Sequence, residues 1–243
     1  MNIIIPIAGK DERFEQTFHT TKPLVPVQGR PLIQWCVELL PFAQSSITFI
    51  VLAEEDKKYQ IRKHLQEIFP EARVALIPRL TAGAACTVLS QKERINSDEE
   101  LFIFLADIYF QTDFSRLEAK YSSDIKGIIP TFFSNQQKYS YALLGDDGKT
   151  VAKVAEKEVI SSNASAGCYY FRQGRDFVWA AESMIKKNLR VNNLFYICPV
   201  YNQLIERGDT IGILPVEFLA GLGSPKEVKL FQQKMPHEKP MVR

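Results

Sequence analysis

The 243-residue chain is short of several things that would mark a familiar class. It has no apolar run near the ~20 residues needed to span a bilayer. No charged leader precedes a cleavable apolar segment at its start, so a cytoplasmic chain is expected. It has little excess charge: 30 Lys and Arg stand against 28 Asp and Glu, a net charge of +2. A nucleic-acid or membrane-surface partner is therefore not expected from its overall field. The four cysteines, Cys36, Cys86, Cys168 and Cys198, form no CxxC pair and sit among apolar neighbours, which favours free thiols in a core over a zinc site or disulfides. The three histidines, His19, His64 and His237, form no ligand-spaced cluster. No GxGxxG follows a strand, which removes the nicotinamide dehydrogenases. No internal repeat or low-complexity tract is present.

What is present is an ordinary globular balance, 46% hydrophobic and 24% charged, enough for one large domain. The chain is organised around its first residues. Ile3, Ile4, Ile5 and Ile7 form a β-branched run, apolar on both faces, which predicts a buried strand of a parallel sheet. The small residues Ala8 and Gly9 follow, then a polar loop with Lys10, Arg13 and Lys22, stiffened at its far end by Pro23. Ligands of open α/β sheets bind outside the carboxyl ends of the strands. Positive charge at this strand end points to an anionic ligand, most simply a nucleoside triphosphate. The same residues would also serve an ordinary βα loop with solvated lysines.

Strands and helices then alternate. A helix is predicted over 31–40, a strand over 47–53, a helix over 54–69 with Ile61, Leu65 and Ile68 on one face, and a strand over 73–77. That order predicts a doubly wound, mostly parallel α/β sheet of Rossmann-like type with right-handed crossovers. Thr81-Ala82-Gly83-Ala84-Ala85 opens a further helix with small residues, suited to close packing or to contact with an anion or a base edge. Leu101 to Ala106 is a strong strand that ends in Asp107, a carboxylate where the sheet would present a ligand. A carboxylate there suits Mg²⁺ shared with phosphates, or a simple loop cap.

From 126 the character changes. A strand is predicted over 128–133, and a β-hairpin runs from Tyr141–Leu144 through Asp146-Asp147-Gly148 to Val151–Ala155. It leads to Glu156-Lys157, in isolation a surface ion pair, and then to the run Gly167-Cys168-Tyr169-Tyr170-Phe171. Helices are predicted over 175–187, 198–207 and 225–234, with a strand over 210–216. The domain is expected to span 1–234, with a nucleotide-binding half over 1–125, an acceptor-binding half over 126–234 and a loose tail over 235–243.

The order of these motifs resembles the sugar-nucleotidyltransferase, or nucleoside-diphosphate-sugar pyrophosphorylase, family from Asn2 to Phe231. Ala8, Gly9, Arg13 and Lys22-Pro23-Leu24 match its signature loop. The resemblance implies transfer of a nucleoside monophosphate from an NTP to a sugar 1-phosphate or similar acceptor, in nucleotide-sugar and polysaccharide or capsule pathways, with a pyrimidine base weakly favoured. It implies catalytic roles for Arg13, Lys22 and Asp107, with Asp107 also binding Mg²⁺. It implies nucleotide contacts from Ala8, Gly9, Lys10, Thr81, Gly83 and Ala84, and acceptor contacts from Glu156, Lys157 and Gly167. Three positions depart from the family pattern. Asp11 stands where Gly is usual, Glu12 where Ser or Thr is usual, and Gly221 where several members carry a second metal-binding Asp. These departures keep open a non-catalytic nucleotide or sugar-phosphate binder on the same scaffold. A nucleotide-sugar-dependent glycosyltransferase usually has a DxD-like pair, whereas Asp107 is followed by Ile108 and Tyr109.

Overall fold

The computed structural model describes residues 1–113 and 124–234. The tail over 235–243 lies outside the described residues. A single ten-stranded sheet forms the frame. Strand β1 (Asn2–Pro6) is central, with β4 (Ile47–Leu52) parallel on one side and β6 (Leu101–Phe104) parallel on the other. Strand β5 (Arg73–Ile77) extends the parallel part beyond β4. Ile3 and Ile5 pack on one face of the sheet and Ile4 on the other, all three with no exposure. Burial of each contributes about 1.5–3 kcal/mol, so an unbroken β-branched run is what this position requires.

The second half of the sheet is mainly antiparallel. Strand β8 (Ile125–Phe133) is its spine. β13 (Thr210–Pro215) lies parallel to β8, while β11 (Asn163–Ser165) and β12 (Cys168–Phe171) are antiparallel to it. β12 also pairs with β6 and so joins the two halves. The expected hairpin is β9 (Ser140–Leu144) with β10 (Val151–Glu156). Asp147 holds its turn by accepting from the amides of Lys149 and Thr150, and these bonds draw its carboxyl down to about 2. Two short pairs complete the strands. β2 (Pro26–Val27) meets β3 (Arg30–Pro31), and β7 (Ile108–Gln111) meets β14 (Phe218–Gly221).

Helices cover both faces. α1 (Glu12–Phe18), α2 (Leu32–Val37), α3 (Ala53–Tyr59) and α4 (Ile61–Ile68) come first. α5 (Ala84–Leu89) and α6 (Lys92–Ile95) follow, then α7 (Gly174–Lys186), α8 (Val200–Arg207) and α9 (Pro225–Lys234). Among the described residues no helix is long and apolar enough to cross a membrane.

Three elements differ from the sequence-based expectation. The stretch after Gly9 is not all loop, because Asp11 caps α1 by accepting from the Arg13 amide at 3.1 Å. The helix expected over 54–69 is broken at Gln60, which sits at φ +53. α3 has no buried residue, whereas α4 buries Ile61 and Leu65, so nothing holds the two in one rod. Asp56 accepts from the Arg62 amide at 2.7 Å and satisfies the start of α4. The helix expected over 31–40 is shorter, since Pro31 is committed to the β2–β3 pair.

Candidate active site

The carboxyl ends of β1 and β6 open onto a cavity of about 550 Å³, in the range of small-molecule sites. Ala8, Gly9, Lys10, Arg13, Lys22, Thr81, Gly83, Ala84 and Asp107 all line it. The nucleotide-side residues named from the sequence therefore converge on one space. Gly9 carries the backbone past the cavity with nothing within 4 Å of where a Cβ would be.

Lys22 enters from the turn Lys22–Leu24, and its ammonium is ion-paired with Asp107. Lys22 is 18% exposed and Asp107 is 53% exposed, so the cation is buried and the anion faces the cavity. Burial draws the Lys22 pKa down to about 8, against the favourable charges of Asp11 and Glu227. Asp107 reaches this place because the chain turns out of β6 at Ala106, which has φ +54. Its carbonyl then accepts from the Leu222 amide at 2.8 Å, which fixes the start of β7 beside the end of β14.

Arg13 is held by Asp11. Its Nε donates to Oδ1 at 2.9 Å and its Nη2 to Oδ2 at 2.6 Å, and Nη2 also reaches the Gly223 carbonyl at 3.3 Å. The bond to Arg13 holds the Asp11 carboxyl below its usual range and raises the guanidinium. A guanidinium free to bind two phosphate oxygens through this edge is therefore not what the structure holds, because the fork is already closed on Asp11. Lys10 likewise pairs with Glu54 at 2.7 Å. Glu12 is exposed on α1.

The loop before α5 is closely fitted. Gly83 has φ +128, and a Cβ there would lie 2.4 Å from the Phe195 carbonyl oxygen, so only glycine fits. Its own carbonyl accepts from Thr81 Oγ1 at 2.9 Å and from the Thr87 amide at 3.0 Å.

The three acceptor-side residues do not line this cavity. Glu156 is mostly buried, its carboxyl is raised by that burial, and it accepts from Ser140 Oγ. Lys157 stands at φ +57 and donates from Nζ to the Tyr196 hydroxyl at 2.7 Å. Gly167 has φ +70 in the bend between β11 and β12, and only Leu105 would meet a Cβ there, at 3.9 Å. Tyr196 does line the cavity and is the contact between it and Lys157. Sequence reasoning passed over Tyr196, and its only signal was an aromatic beside the polar pair Asn192-Asn193.

Glu227 stands beside Gly221. A Cβ at 221 would lie 2.7 Å from Glu227 Oε1, so a side chain there would require the Glu227 carboxylate to move aside. Glu227 is held by Lys138 and, at 2.8 Å, by Ser224 Oγ. Ser224-x-x-Glu227 is a capping-box spacing, a signal present in the sequence. Asp107 is a single hard oxygen donor facing the cavity, which fits Mg²⁺ when phosphates supply the other ligands. Among the described residues no group of three or more His, Cys, Asp or Glu stands ready to hold a metal alone.

Residues 4–197 match the family described as nucleotidyl transferase. The chain belongs to that family. Among curated relatives it is 26% identical over 175 residues to the bifunctional protein GlmU of Methanocaldococcus jannaschii, covering 70% of this chain and 40% of that protein. It is 26% identical over 160 residues to a putative mannose-1-phosphate guanyltransferase of Sulfolobus acidocaldarius, covering 63% and 44%. The match thus spans less than half the length of these relatives. The fold is similar to that of the nucleoside-diphosphate-sugar pyrophosphorylase from Vibrio cholerae RC9, with a TM-score of 0.81, 22% identity, and 96% of this chain and 100% of that one covered. The family match includes the sheet half that carries Glu156 and Lys157, and the similarity of fold extends over 96% of the chain.

Proposed function

We propose that the chain transfers a nucleoside monophosphate from an NTP to a phosphorylated small molecule, a sugar 1-phosphate in the simplest case, and releases pyrophosphate. The observation that carries this reading is the Lys22–Asp107 pair at the edge of a nucleotide-sized cavity, at the end of the central strands. An oxygen of the acceptor phosphate forms a bond to the α-phosphorus as the bond from that phosphorus to pyrophosphate breaks. A phosphate monoester is already an anion near neutral pH, so no general base is needed. The work is alignment and neutralisation of charge.

In this reading the Lys22 ammonium leaves Asp107 for an α-phosphate oxygen. Asp107 would be the residue to hold Mg²⁺, which would supply charge neutralisation at the phosphate oxygens. Arg13 stays on Asp11 and offers the leaving phosphates its remaining Nη1 edge. Glu156 takes the acceptor's hydroxyls through the oxygen not bonded to Ser140, Lys157 takes its phosphate, and Gly167 leaves room beside Leu105. Glu227 stays with Lys138 and Ser224, so a single carboxylate serves the metal. The family resemblance favours a pyrimidine donor, while the name of the Sulfolobus relative carries a guanyl group, so the base is the first variable to test.

A second reading rests on one observation. Lys10, Arg13 and Lys22 are each paired with a carboxylate of the chain, a neutral site that suits a binder or sensor rather than a catalyst. The glycosyltransferase reading loses ground at position 109, where a buried tyrosine stands in place of a second carboxylate. The test is the melting temperature with ATP, GTP, CTP, UTP and dTTP, with and without Mg²⁺, followed by pyrophosphate release with a panel of sugar 1-phosphates. Ligand binding to the folded chain contributes about 2.7 kcal/mol at a hundredfold excess over Kd. A Mg²⁺-dependent shift plus acceptor-dependent release supports transfer. A shift with no release for any acceptor supports the sensor.

A further inference from the structure

The nucleotide cavity and the acceptor residues lie in different halves of the sheet; Leu105 of the cavity wall donates to the Gly167 carbonyl at 2.9 Å, and a second link, the segment 195–196, reaches Lys157. On one side, the Phe195 amide donates to the Ala82 carbonyl at 2.8 Å, and the Ala85 amide donates to the Phe195 carbonyl at 3.0 Å. The Phe195 backbone also lies where a Cβ on Gly83 would be. The segment and the loop beside the cavity therefore cannot shift independently. On the other side, the next residue, Tyr196, accepts from Lys157 Nζ at 2.7 Å.

Lys157 needs such a guide. Its backbone is fixed, with the amide donating to the Tyr139 carbonyl at 3.0 Å. Its ammonium rides on a flexible four-carbon stem whose rotamers a hydrogen bond must select. The Tyr196 ring lines the cavity and its hydroxyl receives that ammonium.

We propose that Tyr196 is a positioning residue that couples the two substrate sites, so that a nucleotide settled against the Gly83 loop sets Lys157 in place for the acceptor phosphate. The coupling rests on the transferase reading above. Binding of each ligand then tightens the other by the same factor, commonly about 5- to 150-fold for linked sites.

The test uses the full chain and a double-mutant cycle. The affinities of α,β-methylene analogues of UTP, CTP, dTTP, ATP and GTP are measured by calorimetry, alone and with saturating glucose 1-phosphate or inorganic phosphate. The wild type is expected to bind one analogue at least fivefold more tightly when an acceptor probe is present. Tyr196→Phe keeps the ring and should leave the affinity for the analogue alone unchanged while its coupling factor falls to about one. Lys157→Met should lose the same factor, and the double variant should lose no more, as expected for two groups acting through one bond. Tyr196→Phe should weaken binding of the acceptor probe in the presence of the analogue by the same factor as it weakens the analogue in the presence of the probe, with each ligand alone unaffected.

Coupling that survives in Tyr196→Phe would overturn the proposal. So would weaker binding of the analogue alone with coupling intact, which would make Tyr196 part of the cavity wall only. Binding without coupling in the wild type would overturn this proposal and leave the transferase reading standing. Absence of any nucleotide binding in the wild type would overturn that reading as well. Unchanged melting temperatures of the two variants guard against a simple loss of fold.

Discussion

Lys22 and Asp107, 85 residues apart in the sequence, close an ion pair at the edge of the cavity. A cation and a carboxylate that neutralise each other when alone must separate for a substrate that is to meet both. The pair thus stores the two charges that the proposed chemistry needs, on the turn after Thr21 and at the entrance to β7. Replacing Lys22 by Ala should lower the rate of pyrophosphate release by about 10²–10³-fold, the usual loss for one preorganised charge. The measurement is steady-state release at saturating substrates, with the melting temperature as a control for folding. A rate within threefold of the wild type would remove Lys22 from the mechanism.

The depressed pKa of Lys22 gives that role a pH signature. Burial sets it at about 8 in the folded chain, against 10.5 for the unfolded one. Between these values the unfolded chain holds a proton that the folded chain has lost, so this group makes stability rise with pH there. Nucleotide binding should move the other way, because the phosphates need the ammonium. The rise in melting temperature given by NTP is expected to shrink as pH passes upward through about 8. Lys22→Ala should show a weaker but flat dependence over that range. A wild-type shift that stays constant to pH 10 would contradict the assignment.

Asp11 separates two roles of one carboxylate, which caps α1 and closes on Arg13. Asn caps nearly as well as Asp, so Asp11→Asn should keep the fold while releasing the guanidinium. Such exposed pairs contribute about 0.2–1 kcal/mol, so NTP should bind about 1.4- to 5-fold more tightly to Asp11→Asn. Asp11→Ala should in addition cost about 1 kcal/mol of stability through the lost cap. Calorimetry and denaturant midpoints separate the two effects. Weaker NTP binding by Asp11→Asn would mean that Asp11 aims Arg13 rather than restrains it.

Gly83 and Gly148 form a matched pair for the close approach at Phe195. Both have positive φ, but a Cβ at 148 meets nothing within 4 Å, whereas at 83 it meets the Phe195 backbone. Gly148→Ala should cost about 1 kcal/mol from strain alone. Gly83→Ala should cost clearly more, about 3 kcal/mol or above, and should abolish nucleotide binding because the loop must leave Phe195. Denaturant unfolding compares the two. Equal costs would mean that the contact at Phe195 is soft.

Much of this was legible in the sequence because its signals are local. The run Ile3–Ile5, the hairpin turn Asp146-Asp147-Gly148 and the Pro199-to-Gly208 helix each declare themselves within a few residues. That Ala8, Gly9, Lys10, Lys22 and Asp107 share one cavity was legible because strand ends and small residues place them at one edge of the sheet. What was not legible depends on contacts between distant segments. The break at Gln60 has no Gly or Pro to announce it and follows from which residues find the core. Asp11 read as a departure from the family's glycine, yet its charge is spent on Arg13 and on a helix start, a helix that the Asp11, Phe14 and Phe18 spacing could have suggested. Gly221 read as a missing ligand, and only the structure shows that the Glu227 carboxylate stands in the space beside it. Tyr196 acquires meaning from Lys157, 39 residues earlier in the chain.

The most direct measurement follows the α-phosphate itself. The full chain is incubated with Mg²⁺, each α-³²P-labelled NTP in turn, and a panel of sugar 1-phosphates, and the products are separated. The account predicts that label enters a nucleoside diphosphate sugar with one NTP, only when an acceptor is present, in amounts equal to the pyrophosphate released. Label that remains in an NTP which the protein demonstrably binds, across the whole panel, would contradict it.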